Sequence, residues 1–305
     1  MTIHYLLHKE IDKLRWDVAV RSGSNGLMYA WSIYLDAICP GWSALVNDDY
    51  SLVMPLTHRK KFGIGYLYQP PFSQQLGVFG TAQITEAIVG EFISECQKHY
   101  AFAEIFVNSY NVFSIPSGMA FCKNYTLSLS KSYEAIRANY TTDLLKKNLQ
   151  RTVKFNLQYG RSGDVENTIN TFQQLYADRT PQVLSKDYEA LINLAKQLLT
   201  TSNAFIRQVT LPNGELLACG LFLKDEHRIY NIASSTLPNG RTFEANHFLF
   251  DQLIQEFAAT GLLLDFEGSD LAGIERFYKK FGAVNEPYCF LKWNNLPWPV
   301  KLLKK

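Results

Sequence analysis

The chain has 305 residues, of which 47% are hydrophobic and 14% aromatic, and its formal net charge is +2. That length suits two domains of about 150 residues, the apolar content excludes a disordered chain, and the charge is too mild for a dedicated nucleic-acid binder. The five cysteines, at 39, 96, 122, 219 and 289, are odd in number and contain no C-x-x-C, a pattern that fits reduced thiols better than a disulfide framework or a zinc site. The N-terminus MTIHYLLHKE has no basic lead followed by a signal-length apolar run, and nothing approaches the ~18 apolar residues of a spanning helix. The expectation is a soluble, cytoplasmic protein.

In chain order, Lys9 to Val20 and Leu27 to Cys39 read as two helices. The stretches GWSALVND, YSLVMPLTHRKK and GIGYLYQPPF can supply three meandering strands. In TAQITEAIVGEFISECQKHY, Ile84, Ile88, Phe92 and Cys96 share one helical face, and AEIFVNS then reads as a buried strand. The segment DLLKKNLQRTVKFNLQYGR is expected to be a linking helix. Its Leu145, Leu149, Val153 and Leu157 recur at spacing four and predict a packed stripe, with Lys147, Arg151 and Lys154 on a neighbouring face, Lys146 beside them and Arg161 just past the helix. That face reads either as a solvated basic surface or as a substrate-binding one turned toward a phosphate, in a cofactor or a tRNA backbone.

The second half repeats this order. Asn167 to Arg179 and Lys186 to Leu199 read as helices, and AFIRQVTL, LLACGLFLK and HRIYNIASS as strands, the first turn being Pro-Asn-Gly. In RTFEANHFLFDQLIQEFAATG, Phe243, Phe250, Ile254 and Phe257 recur at helical spacing and Gly261 is placed to end the helix. The helix delivers the chain to LLLDF, a buried strand that must lie parallel to its neighbour. Corresponding features sit about 160 positions apart, which reads as an internal duplication; one larger α/β domain with a long insertion is the alternative. The expected class is a mixed-sheet α/β protein with two tandem domains, 1–140 and 141–305.

Two helices, an antiparallel meander, a helix and a parallel strand resemble the acyltransferase architecture of the GNAT superfamily, and two such domains in one chain resemble the Fem-type peptidyl transferases. YQPPFSQQLGVFG, DLLKKNLQRTVKFNLQYG and LLLDFEGSDLAGIERFYKKFGA fit that group in order and spacing. The resemblance implies transfer of an acyl or aminoacyl group to an amine on a small-molecule or peptide-like acceptor. Acyl-CoA or aminoacyl-tRNA is the implied donor, with no resident cofactor or metal. Two other readings stand: an aminoacyl-tRNA-dependent peptidyl transferase acting on a cell-wall precursor, and a degenerate repeat that binds a ligand or partner without catalysis.

In the resembling fold the reaction takes place where two central parallel strands splay apart, here HRIYNIASS and LLLDFEG. Their carboxyl ends carry Asn231, Ser234 and Ser235 on one side and Asp265, Glu267 and Ser269 on the other. Asp265 and Glu267 are candidates for a base or an amine-holding group, and the period of two predicts that they share a face. The competing expectation is structural, with the carboxylates capping the next helix or pairing with Arg276 or Lys279; Asp270 is the expected N-cap. Coenzyme A enzymes of the fold carry Gln/Arg-x-x-Gly-x-Gly/Ala, whose backbone N–H groups cradle a diphosphate. Here Arg241 fits and is assigned with Asn246 to cofactor binding, but Glu244 occupies the glycine position, where its side chain and charge oppose a diphosphate. Tyr278 stands where the Fem-like phrase Phe-Lys-x-x-Phe-Gly has its lysine and is a candidate hydrogen-bond donor to a leaving group. His247 lies on the apolar stripe of its helix and reads as a core histidine, and the six histidines show no metal-ligand spacing.

Overall fold

A computed structural model describes residues 1–111, 119–268, 272–298 and 301. The chain forms two compact units. One comprises Met1–Cys122 with Pro287–Lys305, and the other comprises Lys123–Glu286. This differs from the expected halves 1–140 and 141–305, and the reason is strand pairing.

In the first unit Ile3–Leu6, Ser43–Asn47, Leu52–Leu56 and Phe79–Gly80 form an antiparallel sheet in that order. A second sheet runs His58–Lys61, Ile64–Tyr68, Phe102–Val107, Tyr288–Asn294, Met119–Cys122. Its fourth member comes from the far end of the chain and pairs antiparallel on both sides, from Cys289 with Val107 to Asn294 with Phe102, and from Tyr288 with Cys122 to Leu291 with Met119. The expected helix is Glu86–His99, capped by Thr85 and burying Val89, Phe92 and Cys96.

The second unit is one seven-stranded sheet in the order Gln158–Ser162, Ala204–Thr210, Leu216–Lys224, Arg228–Thr236, Leu263–Asp265, Tyr125–Ser128, Val284–Asn285. The strand Tyr125–Ser128, from the first half of the sequence, fills the slot beside Leu263–Asp265. Each unit therefore completes its sheet with a strand taken from the other half of the sequence. Binary patterning marks such segments as strands but carries no label for the partner. The helices Val165–Tyr176 and Ser185–Thr200 and the three-strand meander follow the sequence expectation closely.

The linking helix does not. Leu144–Leu149 is a π-helix, Gln150–Thr152 α and Val153–Phe155 3-10, and Asn156 in the left-handed region ends the run. The i→i+5 turn of a π-helix brings Leu144 and Leu149 to the buried side; of the spacing-four stripe, Leu145, Leu149 and Leu157 pack against apolar cores, whereas Val153 is 74% exposed. Gln158–Ser162, containing Arg161, is an edge strand instead of a helix end.

Trp293, in the strand contributed from the chain end, is buried, and its Nε1 donates to the Tyr100 carbonyl at 2.8 Å. Trp293→Ala is expected to destabilise the first unit by about 3–5 kcal/mol, read as an earlier transition in a denaturant titration of the full chain. An unshifted profile would show that this strand is dispensable.

Candidate active site

The site begins where two strands part. Arg228–Thr236 and Leu263–Asp265 run parallel through three pairs, ending at Tyr230 with Asp265. Past that point Asn231 Nδ2 donates to the Phe266 carbonyl at 3.2 Å, bridging the two chains once more. On its other edge Arg228–Thr236 slips register, because Leu221 faces Ala233 while Phe222 faces Asn231. Ile232 is left as a bulge, and a bulge re-aims the side chains around it. Asn231, Ile232, Ser234 and Thr236 all line a cavity of about 500 Å³. Phe266, Glu267 and Gly268 after the short strand, and Phe277 and Tyr278 on the helix Ala272–Lys280, also line it. Phe172, Tyr176 and Arg179 contribute from the helix Val165–Tyr176 and the turn after it. Asn246 and Phe250 contribute from the helix Ala245–Phe257.

The lining is aromatic with a few polar atoms. Asn231 Oδ1 and Asn246 Oδ1 are buried and have no hydrogen-bond partner among the described residues. Such acceptors cost free energy unless a donor reaches them. Burial first, then the negative charges of Glu267 and Asp265, push the Tyr278 phenol well above its ordinary value, against the lowering effect of the Asn231 amide. Tyr278 is therefore neutral and a donor at physiological pH. Glu267 has φ +62°, a left-handed conformation uncommon for a residue with a side chain, and strain of this kind collects at functional sites.

The cavity brings together Asn231, Ser234, Asn246, Glu267 and Tyr278 of the sequence-predicted residues. It leaves out the others. Asp265 is 1% exposed and is held by Arg228 Nη1 at 2.6 Å, Asn124 Nδ2 at 3.2 Å and the Glu267 N–H at 2.9 Å. It is a structural carboxylate and does not line the cavity. The period-two argument failed because the strand stops at Asp265 and Glu267 takes a left-handed turn. Ser235 points away from Ser234, with a buried and unpartnered Oγ. Ser269 and Asp270 lie outside the described residues. Arg241 is exposed and does not line the cavity. Lys147 pairs with Asp143 at 2.9 Å, Arg151 with Glu244 at 2.9 Å, and Lys154 is exposed; none lines the cavity. Among the lining residues that sequence reasoning missed are Phe172, Tyr176 and Arg179, which had read only as part of the helix Asn167 to Arg179.

Glu244 has φ +59°, the backbone conformation a glycine would supply at no cost, and it caps the helix Ala245–Phe257. Its carboxylate meets Arg151 Nη1 at 2.9 Å, Asn148 Nδ2 at 3.1 Å and His247 Nδ1 at 3.0 Å. Burial and Lys280 push His247 down to about 4, and its Nε2 lies 3.4 Å from Lys280 Nζ. Glu244 stands at the start of that helix, where a diphosphate would sit, and its carboxylate makes no hydrogen bond to the helix N–H groups but is held by Arg151 and Asn148. These residues do not fit a diphosphate cradle.

Burial opposes the Arg228 charge, but Asp265 and Glu286 hold it and raise its pKa. Asp265→Asn is expected to cost about 3 kcal/mol, the low end for breaking a buried pair because Glu286 remains. Glu267→Gln is expected to stay within about 0.5 kcal/mol of the native stability. Denaturant midpoints of the two variants check both values, and equal losses would contradict the assignment.

No family model matches the chain, and no curated protein matches it. Solved structures do match. A crystal structure of FemX superposes with a TM-score of 0.65 at 12% identity, covering 100% of both chains. The C-terminal domain of a putative lysylphosphatidylglycerol synthetase from Agrobacterium fabrum gives 0.55 at 12% identity, covering 96% of this chain and 94% of its own. A tandem GNAT protein from the clavulanic acid biosynthesis pathway gives 0.51 at 10% identity, with 97% and 99% covered. Identities this low speak to the fold alone, and the fold is the mixed α/β fold that these three structures share.

Proposed function

We propose that this protein transfers an acyl or aminoacyl group to an amine held in the cavity of the second unit. The observation that carries the reading is the convergence of Glu267, Tyr278 and two unpartnered amide oxygens on one aromatic-lined cavity at the parting of parallel strands. Openings of this kind are where ligands bind in α/β sheets. An ammonium group is a multiple donor and suits the oxygens of Asn231, Asn246 and Glu267. Loss of a proton, with Glu267 as its acceptor, frees the nitrogen lone pair. The nitrogen then attacks the activated carbonyl, the C–N bond forms, and the C–O bond of an ester or C–S bond of a thioester breaks as the nitrogen's remaining surplus proton passes to the departing oxygen or sulfur. Tyr278, kept protonated by its surroundings, donates a hydrogen bond to the departing oxygen or sulfur. The aromatic walls exclude water that would hydrolyse the activated donor.

The first unit is not proposed as a second reaction centre, because its equivalent opening is filled. Leu76 pairs in parallel with Val107, its N–H donating to the Phe106 carbonyl at 2.9 Å, and the Asn108 N–H donates to the Leu76 carbonyl at 2.8 Å. The amides of Asn25, Asn108 and Asn111 all donate to the Val78 carbonyl. Gly77, at φ +100°, lets the chain pass, since a Cβ there would fall 2.3 Å from Asn111 Oδ1.

The donor proposed is an acyl-CoA or an aminoacyl-tRNA, and the carboxylate at the helix start favours the second. A cell-wall precursor is a possible acceptor within this reading. Single-turnover assays with acetyl-CoA, long-chain acyl-CoA and charged tRNA, each with a panel of primary amines, test the proposal. Amide product is expected from one donor class, with Tyr278→Phe and Glu267→Gln each slowing its formation about 10²-fold. Glu244→Gly is expected to strengthen coenzyme A binding. No amide with any donor would favour a non-catalytic binding role instead.

A further inference from the structure

The first unit holds a cleft that acyl transfer does not use. It has a volume of about 530 Å³ and opens beside the strands Ile3–Leu6, Ser43–Asn47 and His58–Lys61. Among the described residues no aspartate or glutamate lines it, whereas Lys9, Lys60, His8, His58 and His99 all do. Among the described residues neither Lys9 nor Lys60 has an ion-pair partner, and both are exposed. Two of the imidazoles are already engaged by carboxylates outside the lining, His8 by Asp36 at 2.8 Å and His99 by Glu95 at 3.4 Å. Asp36 also binds Lys13 at 2.6 Å and Glu95 binds Lys98 at 2.6 Å, so those carboxylates have cations of their own and leave the two lysines uncompensated.

The floor is closed and self-satisfied. Tyr100 and Tyr5 hydroxyls lie 3.1 Å apart, the Tyr5 hydroxyl donates to Ser43 Oγ at 3.1 Å, and Ser43 Oγ lies 3.2 Å from His58 Nε2. Burial and Lys60 keep His58 below its ordinary value, and its ring also meets the Gly41 carbonyl. One continuous hydrogen-bonded chain results, running from Tyr100 through Tyr5 and Ser43 to His58 and then Gly41. The rings present flat apolar surface, Tyr5 stacked on His99 with centroids 4.1 Å apart and His58 on Tyr100 at 5.6 Å.

We propose that this cleft binds a small phosphate monoester with an aromatic or otherwise apolar body. Two uncompensated ammonium groups match the charge of a phosphate monoester, about −1.5 to −2 at neutral pH. A site with no carboxylate in its lining imposes no repulsion on such a group, and the stacked rings suit the apolar part. The inference does not depend on the acyl-transfer reading, since it concerns the other unit.

Isothermal titration with phenyl phosphate, inorganic phosphate and benzoate on the full-length protein tests it. Phenyl phosphate is expected to bind saturably at one site per chain, more tightly than either of the others, and more weakly as salt is raised. Lys9→Gln with Lys60→Gln should weaken it about a hundredfold, tenfold for each lost hydrogen bond to a charged group. Lys186→Gln, an exposed lysine of the second unit, should leave it unchanged. No saturable binding, benzoate as tight as phenyl phosphate, or affinity indifferent to the double change would each overturn the proposal.

Discussion

The parting of Arg228–Thr236 from Leu263–Asp265 after three paired residues is the constraint on which the rest of the second unit turns. Two parallel strands that stop pairing leave backbone groups and side chains facing a gap, and buried polar groups must find partners. Here the gap is held open from below by the Arg228–Asp265–Glu286 cluster, which fixes the last paired position. It is tied once by Asn231 to Phe266 and is widened by the bulge at Ile232. The core beneath, with Phe222, Phe250, Phe266 and Phe281 in one cluster, reaches the cavity through Phe250 and Phe266. The same packed rings that stabilise the unit are thus the apolar floor of the site.

Charge is divided there between two carboxylates with different roles. Asp265 is spent on a buried arginine, and its removal would leave that cation poorly compensated. Glu267, two residues later, is displaced by a left-handed turn onto the cavity, where its field acts on Tyr278. Neighbouring acids with separate environments are a recurrent way to obtain one structural and one functional group. The helix that follows supplies Tyr278, and the helix before supplies Asn246, so three elements converge on a volume large enough for a small molecule.

Much of this was legible in the residues. In the second half, meander, helix and parallel strand read correctly because apolar periodicity is a local signal, and the ends of the two parting strands pointed to Asn231, Ser234 and Glu267. In the first half the expected strand YSLVMPLTHRKK is split between two sheets. What could not be read is what depends on partners distant in sequence. The strands Tyr125–Ser128 and Tyr288–Asn294 each complete the other half's sheet, and nothing in their composition names the partner. Asp265 was misplaced because its partner, Arg228, lies in another strand. The linking segment misled because four-residue spacing assumes an α-helix, and a π-turn brings Leu144 inward while Val153 is left exposed. Glu244 was the opposite case. A carboxylate at a position that wants glycine was visible in the sequence, and it takes up the left-handed backbone there with Arg151 as its partner.

The central claim is that amide formation belongs to the cavity of the second unit. The most direct measurement is an experimental structure with an N-acyl amine, the product class, bound at saturating concentration. The account predicts the amide between Asn231, Glu267 and Tyr278, with its carbonyl or nitrogen within hydrogen-bond reach of them and the acyl chain along the aromatic wall. A product seated in the first unit, or one that leaves this cavity empty at saturation, would contradict it.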